Sequence, residues 1–328
     1  MLDVAVIGAG PVGLACAIEA KRANLSAVVV EKGSIVNSLV GYPTQMEFFS
    51  TPNLIEIGGH PFTTRRYKPI REEALDYYAG VATAEDLKLS LFNRVRSISG
   101  TKGSFELAGD SSTISARRVI VATGFFDVPI KLEIPGEDLS KVTHYYKEPY
   151  RYFGQRVAII GNKNSAAKAA LDCHRHHAEV TLIVRDEELS SSIKYWLKPD
   201  LQNRIDRGEV RALFEAVVTQ IDEKSITVNH GSNKGVIIEN DFVLAMTGYK
   251  PDYPMLSSWQ IEFDDDVART PHHDASTFES SRPGIYLAGT VCGGLHTSRW
   301  FIENGREHAA AIIKHISAGL KGSQNLPR

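Results

Sequence analysis

Paired cysteines are absent. Three thiols, Cys16, Cys173 and Cys292, are spread over 328 residues in neither a C-x-x-C nor a zinc-type spacing, so neither a dithiol relay nor a metal site can be read from them. Missing too is any uninterrupted apolar run near the roughly 20 residues that span a bilayer. The chain starts directly on a strand-like segment, without a basic stretch and an apolar h-region before it. A cytoplasmic protein with no membrane partner is the expectation. Charge of one sign is not in excess either: a net charge of -2 and a pI near 6.6 give no electrostatic reason to expect nucleic acid. What remains is an ordinary 43% of hydrophobic residues in a chain longer than one core usually organises, which predicts two domains.

The stretch Leu2-Asp-Val-Ala-Val-Ile-Gly-Ala-Gly-Pro-Val-Gly13 has the order strand, glycine turn, helix, and a second apolar run ends at Glu31. Its glycines fit G-x-G-x-x-G at Gly8, Gly10 and Gly13, a pattern in which a tight turn brings backbone up to a pyrophosphate and packs helix on strand. Phosphate then sits on the helix N-terminus beside Pro11 and Val12. The Glu31 carboxylate can accept from both hydroxyls of an unphosphorylated ribose. Strand before, helix after and an acid at this distance favour a nucleotide over a structural glycine bend.

After Lys32 the sequence to Pro52 keeps neither period 2 nor period 3.6 and predicts a loop. One reading has Tyr42, Pro43, Phe48 and Phe49 against a flat ring system, with Asn37, Ser38, Ser50 and Thr51 at its polar edges. The other is a packed surface loop. A helix from Pro69 to Ala84, a strand from Leu87 to Phe92 and a three-stranded meander at Arg94–Ser99, Ser104–Leu107 and Ser112–Ala116 follow. A separate buried strand starting at Arg118 then runs into Ala122-Thr123-Gly124.

Gln155-Arg-Val-Ala-Ile-Ile-Gly-Asn-Lys-Asn-Ser-Ala166 predicts a second strand and turn of the same kind, with a helix ending near His176. Two such units imply two nucleotides. Gly161 is kept, Lys163 stands where the second glycine would be, and its ammonium can reach a phosphate directly. The next strand, Val180 to Arg185, ends in a guanidinium where the first unit has Glu31, which favours a ribose 2′-phosphate and hence NADPH. Pairing of Arg185 with Asp186 and Glu187 is the competing explanation. Lys194 is either a second phosphate contact or a solvated lysine. His174, Arg175, His176 and His177 read as a basic helix end favoured by the dipole, with no metal partner at ligand spacing. Short strands at Val210–Leu213, Val217–Ile221, Ser225–Val228 and Gly235–Ile238 predict another meander. Strands ending at Thr247-Gly248 and Gly289-Thr290, a helix from about Trp300 to Ala318 and a frayed tail from Gly319 to Arg328 complete the chain.

Gly8-x-Gly-x-x-Gly13, Ala122-Thr-Gly124, Gly161-x-x-x-Ser-Ala166, Ala245-x-Thr-Gly248 and Gly284-Ile-Tyr-Leu-Ala-Gly289 together resemble the thioredoxin-reductase-like pyridine nucleotide disulfide oxidoreductases. Asn37-Ser38, Tyr42-Pro-Thr44, Phe48-Phe-Ser50, Ile57-Gly-Gly59, Ser192-Ile-Lys-x-Trp196 and Phe301-Ile-Glu-Asn-Gly-Arg306 bring the chain nearest to their bacillithiol disulfide reductase branch. The resemblance implies an α/β fold of two Rossmann-like dinucleotide-binding domains, each with a small β-meander. The FAD domain is then discontinuous, 1–126 and 249–328, with an NADPH domain, 127–248, inserted. FAD is expected at Gly8, Gly10, Pro11, Val12, Gly13, Glu31, Lys32, Asn37, Ser38, Tyr42, Pro43, Thr51, Thr123, Gly124, Gly289, Thr290, Phe301 and Ile302. NADPH is expected at Gly161, Lys163, Asn164, Ser165, Arg185, Lys194, Thr247 and Gly248.

The implied activity is hydride transfer from NADPH to flavin and onward to an external small-molecule or protein acceptor, a low-molecular-weight disulfide by the nearest likeness. A ferredoxin or quinone reductase, a flavin monooxygenase and a non-catalytic FAD/NADPH sensor are the alternatives, and a homodimer is the implied assembly. Two departures stand out. The places of the thioredoxin reductase C-x-x-C fall near His144 and Lys147, and the cysteine that the bacillithiol branch carries in its first glycine turn is Val12 here. Cys292 is the one cysteine expected near the flavin, either as a redox thiol or as a small turn residue. His144 and His296 are candidate proton donors or satisfied polar side chains.

Overall fold

Val4 to Ile7 are almost solvent-free because Leu2–Ile7 is flanked on both sides, by Ala27–Val30 and by Thr113–Val121, in parallel register. A strand segment buried on both faces as well as paired at both edges has no polar alternation to show, and Val4 to Ile7 are accordingly one apolar run. The computed structural model describes residues 1–324 and groups the chain into two units, 1–41 with 45–128 and 249–328, and 42–44 with 129–248.

In the first unit the sheet runs Leu89–Ser90, Ala27–Val30, Leu2–Ile7, Thr113–Val121, Ser104–Gly109, Val95–Thr101, with Ile285–Leu287 also paired to Thr113–Val121. The meander's third strand and the buried strand after it, expected as two, are one. No glycine or proline interrupts residues 113–121. The first half therefore pairs antiparallel with Ser104–Gly109, and the second half parallel with Leu2–Ile7. The expected terminal helix is instead two, Ile302–Gly305 and His308–Gln324. The break falls after Gly305, whose Cα face lies so close to the Gly289 backbone that an added Cβ would sit 3.2 Å from Gly289 Cα. The frayed tail expected from Gly319 is helical as far as Gln324, and residues 325–328 lie outside the described residues.

In the second unit a parallel sheet runs Arg211–Leu213, Glu179–Ile183, Arg156–Ile160, Phe242–Ala245, Val142–Thr143. Beside it Ala216–Ile221, Ser225–His230 and Asn233–Glu239 form an antiparallel meander. The expected four-stranded meander loses its first member to the parallel sheet. Glu215, at φ 49°, reverses the chain between Leu213 and Ala216. Helix Asn164–Arg175 buries Ala166, Ala167, Ala169, Ala170, Leu171 and Cys173 and places His174 and Arg175 in its last turn, where the dipole favours cations. Two helix-covered parallel sheets, each with antiparallel strands, make up the α/β architecture anticipated above. Among the described residues no helix is long and apolar enough to cross a membrane.

Candidate functional site

The first glycine turn is tight where it must be and open where a ligand must approach. Gly8 has φ 110°, and a Cβ there would meet the Ala122 carbonyl at 2.5 Å; a Cβ at Gly13 would lie 1.9 Å from the Gly8 carbonyl oxygen. At Gly10 it would meet nothing within 4 Å. Helix Pro11–Arg22 begins there with proline at its first position, no side-chain cap and no acid in its first turn. Its first N–H groups lack helical partners, which suits an anion. This cradle fits a dinucleotide pyrophosphate.

Glu31 closes the same turn from behind. Its Oε2 accepts from Ala9 N–H at 2.8 Å and its Oε1 from Gly33 N–H at 3.1 Å. The side chain is 8% exposed, and burial raises its pKa against the lowering effect of those two donors. Asn37 and Ser38 open the short helix Asn37–Val40, with Asn37 packed against Gly33. Lys32 pairs with Asp127 at 2.6 Å, and Thr51 Oγ1 bonds Asn53 Oδ1 at 2.7 Å. Tyr42 and Pro43 are grouped with the second unit, apart from the other residues expected at FAD.

Thr123 and Gly124 follow the central strand, and the Thr290 hydroxyl lies 3.3 Å from where a Gly124 Cβ would be. Gly289 opens the turn Gly289–Gly293, seated on the Val12 side chain. Phe301 caps Ile302–Gly305, its N–H bonded to Asn304 Oδ1 at 2.7 Å. Cys292 is completely buried in this turn and burial drives its thiol strongly upward. His296 lies exposed on the loop beyond.

His308 was missed by sequence reasoning. It is 3% exposed, its Nδ1 accepts from Gly289 N–H at 3.1 Å, and its ring stacks on Phe278 at 4.0 Å and meets Trp300 edge-on at 4.4 Å. The signal was present in the spacing: His308, Ile312, Ile316 and Leu320 form one buried helical face at intervals of four.

In the second unit Gly161, at φ 145°, leaves no room for a Cβ, which would meet the Met246 carbonyl at 2.6 Å. Lys163 occupies the N-cap of Asn164–Arg175 in extended backbone, exposed, with Ser165 exposed in the first turn. This helix start also lacks an acid. Arg185 is 84% exposed, with its Nε 3.8 Å from Asp186 Oδ1. Asn164 is engaged within the protein, its Oδ1 accepting from Lys194 N–H at 2.9 Å. Thr247 donates to the Ile130 carbonyl, and Gly248 carbonyl accepts from Ile130 N–H at 2.9 Å. His144 Nε2 is 3.2 Å from the Glu137 carboxylate, which also accepts from Leu132 N–H at 2.6 Å and Glu133 N–H at 2.8 Å. His144 thus belongs to a loop-fastening cluster.

A model of the pyridine nucleotide-disulphide oxidoreductase family matches residues 5–289. Bacilliredoxin reductase Bdr of Bacillus subtilis is 38% identical over 313 residues, 95% of this chain and 96% of that protein. Among solved structures, bacillithiol disulfide reductase Bdr (YpdA) from Staphylococcus aureus superposes with a TM-score of 0.94 at 36% identity, covering 97% of this chain and 98% of its own. The Bacillus cereus protein of the same name gives 0.93 at 36% identity, over 97% and 99%.

Proposed function

This chain belongs to the pyridine nucleotide-disulphide oxidoreductases, flavoproteins that work with FAD and NADPH, and from that premise we propose that it reduces a low-molecular-weight disulfide without any protein thiol in the relay. One observation carries the reading: all three cysteines are free and buried, Cys16 and Cys173 with thiols pushed up to about 12 and Cys292 pushed up further, in each case by burial. With a pKa of about 12 only about one thiol in 10⁵ is a thiolate at neutral pH, and the thiolate is the form that attacks a disulfide. Val12 supplies no sulfur where the bacillithiol branch does.

Bound FAD supplies the two-electron exchange between nicotinamide and disulfide. The net reaction is NADPH, one proton and a disulfide giving NADP⁺ and two thiols. The protein's share is placement. The helix start at Pro11 would hold the FAD pyrophosphate, Glu31 its ribose, and Thr290 with Gly124 its ribityl chain. Lys163 and the helix start at Asn164 would hold the NADPH pyrophosphate, and Arg185 its 2′-phosphate. A released thiolate is basic enough to take a proton from water, so His144 and His296 need no catalytic role.

Anaerobic protein reduced with one equivalent of NADPH and mixed with bacillithiol disulfide is expected to recover its flavin absorbance in a single turnover, and to oxidise excess NADPH over repeated turnovers when both substrates are supplied. Changing Cys16, Cys173 and Cys292 together to alanine is expected to leave that rate within about threefold, since none of the thiols reacts. A hundredfold loss in a folded, flavin-loaded variant would restore a thiol to the relay. The same buried cysteines favour a second reading, an acceptor that takes electrons without covalent chemistry. Reoxidation by a ferredoxin or quinone, with none by the disulfide, would select it. A homodimer is part of the proposal and is read by sedimentation.

A further inference from the structure

Asp186 is the natural objection to Arg185 as a phosphate ligand, because a carboxylate next in sequence would neutralise the guanidinium. The fold occupies that carboxylate elsewhere. Asn162, in the second glycine turn, donates from Nδ2 to Asp186 Oδ2 at 2.8 Å and to the Glu188 carbonyl at 2.9 Å, while its Oδ1 accepts from Ser190 N–H at 2.9 Å. Asn164 adds bonds to the Ser192 carbonyl at 3.3 Å and from Lys194 N–H at 2.9 Å. The segment 186–194 is thereby pinned to the start of helix Asn164–Arg175. Arg185 remains 84% exposed, and its 3.8 Å separation from Asp186 Oδ1 is beyond hydrogen-bond reach.

We propose that Asn162 sets the preference of this site for a 2′-phosphorylated dinucleotide by holding the Asp186 carboxylate back from Arg185. Asn162 is a positioning residue, and the inference rests on Arg185 facing the 2′-phosphate. Without the Asn162 amide, Asp186 is released to close the 3.8 Å gap to its neighbour's guanidinium. The ion pair, once at contact distance, would offset more of the positive charge and set a carboxylate against the phosphate.

The test is equilibrium binding of adenosine 2′,5′-bisphosphate and of AMP, by calorimetry on the FAD-loaded protein. Asn162→Ala is expected to lower bisphosphate affinity about tenfold while AMP changes less than about twofold, as one uncompensated charge near a phosphate implies. Adding Asp186→Asn to that variant is expected to bring bisphosphate affinity back to within about threefold of the original, and to restore the NADPH over NADH ratio of anaerobic flavin reduction. Equal losses for both ligands with no recovery would make Asn162 a mere loop tether and overturn the proposal. Asp186→Asn alone is the second variant, expected to change bisphosphate affinity less than about twofold because that carboxylate is already held away. A tenfold gain there would mean Asp186 opposes the phosphate in the native site and would overturn it equally. Arg185→Leu separates the underlying reading: unchanged bisphosphate affinity removes Arg185 from the site, whereas a loss there without one in Asn162→Ala sinks only the role of Asn162.

Discussion

Replacing Gly10 by alanine is expected to give a protein that purifies almost without flavin yet folds and melts like the flavin-free form of the original. Among the described residues nothing beyond its own chain neighbours lies within 4 Å of a Cβ at Gly10, so the fold has no reason to object. In the proposed FAD site this open space is the approach of the pyrophosphate to the turn and to the first N–H groups of helix Pro11–Arg22, and a methyl group there would displace the phosphate from them. Loss of two or three charge-assisted bonds corresponds to a fall in FAD affinity of at least about 100-fold. Gly13→Ala is the contrasting variant. Its Cβ would lie 1.9 Å from the Gly8 carbonyl oxygen, so the helix must lift off the turn, and overpacking of that kind costs about 1–3 kcal/mol. Flavin content and the melting temperature of the flavin-free protein should therefore both fall in Gly13→Ala, whereas only flavin content falls in Gly10→Ala. The flavin-to-protein ratio and a titration of the apoprotein with FAD read the first quantity, a thermal melt the second. Full flavin in Gly10→Ala would move the pyrophosphate away from this turn.

That pair of variants also indicates what was legible beforehand. The glycine turns, the strands they end and Glu31 announce themselves because each is a local constraint: a positive φ, a close backbone approach, a carboxylate at the end of a strand. Thr113–Val121 was split wrongly because the change from antiparallel to parallel partners within one strand leaves no mark on its own residues. Arg211–Leu213 was given to the wrong sheet for the same reason, since pairing is a property of two segments. Asn162 carries no local signal between Gly161 and Lys163, because its partners lie 24 to 28 residues away. The burial that silences Cys292 likewise comes from the turn packed around it, which no cysteine spacing encodes.

Acidification should strip stability from this protein in a window set by His308. Its Nδ1 accepts from Gly289 N–H, so the proton of the neutral ring is on Nε2, which is buried without a hydrogen-bond partner among the described residues. Burial, and then the charge of His273, push its pKa down to about 4 from 6.5. The other ionisable groups nearby are Cys292, its Sγ 3.9 Å from Nδ1 and held neutral by burial, and Arg299, stacked over Trp300. Because the folded pKa lies below the unfolded one, the contribution is complete above pH 6.5. It is lost as pH falls from there to about 4, where only the unfolded chain takes up the proton. Over the full window this amounts to about 3 kcal/mol. Protonation of the folded state, as pH falls through about 4, would also turn the acceptor at Gly289 into a donor and loosen the turn that carries Thr290, so flavin should dissociate from the folded protein at the lower end of this window and below it, not near pH 6.5. His308→Asn keeps an oxygen acceptor for Gly289 N–H without an ionisable group. That variant should be less stable than the original at neutral pH, having lost the stacked ring, and the difference between the two should shrink steadily as pH falls. Urea unfolding across the window measures it, and two parallel stability curves would mean that His308 does not titrate there.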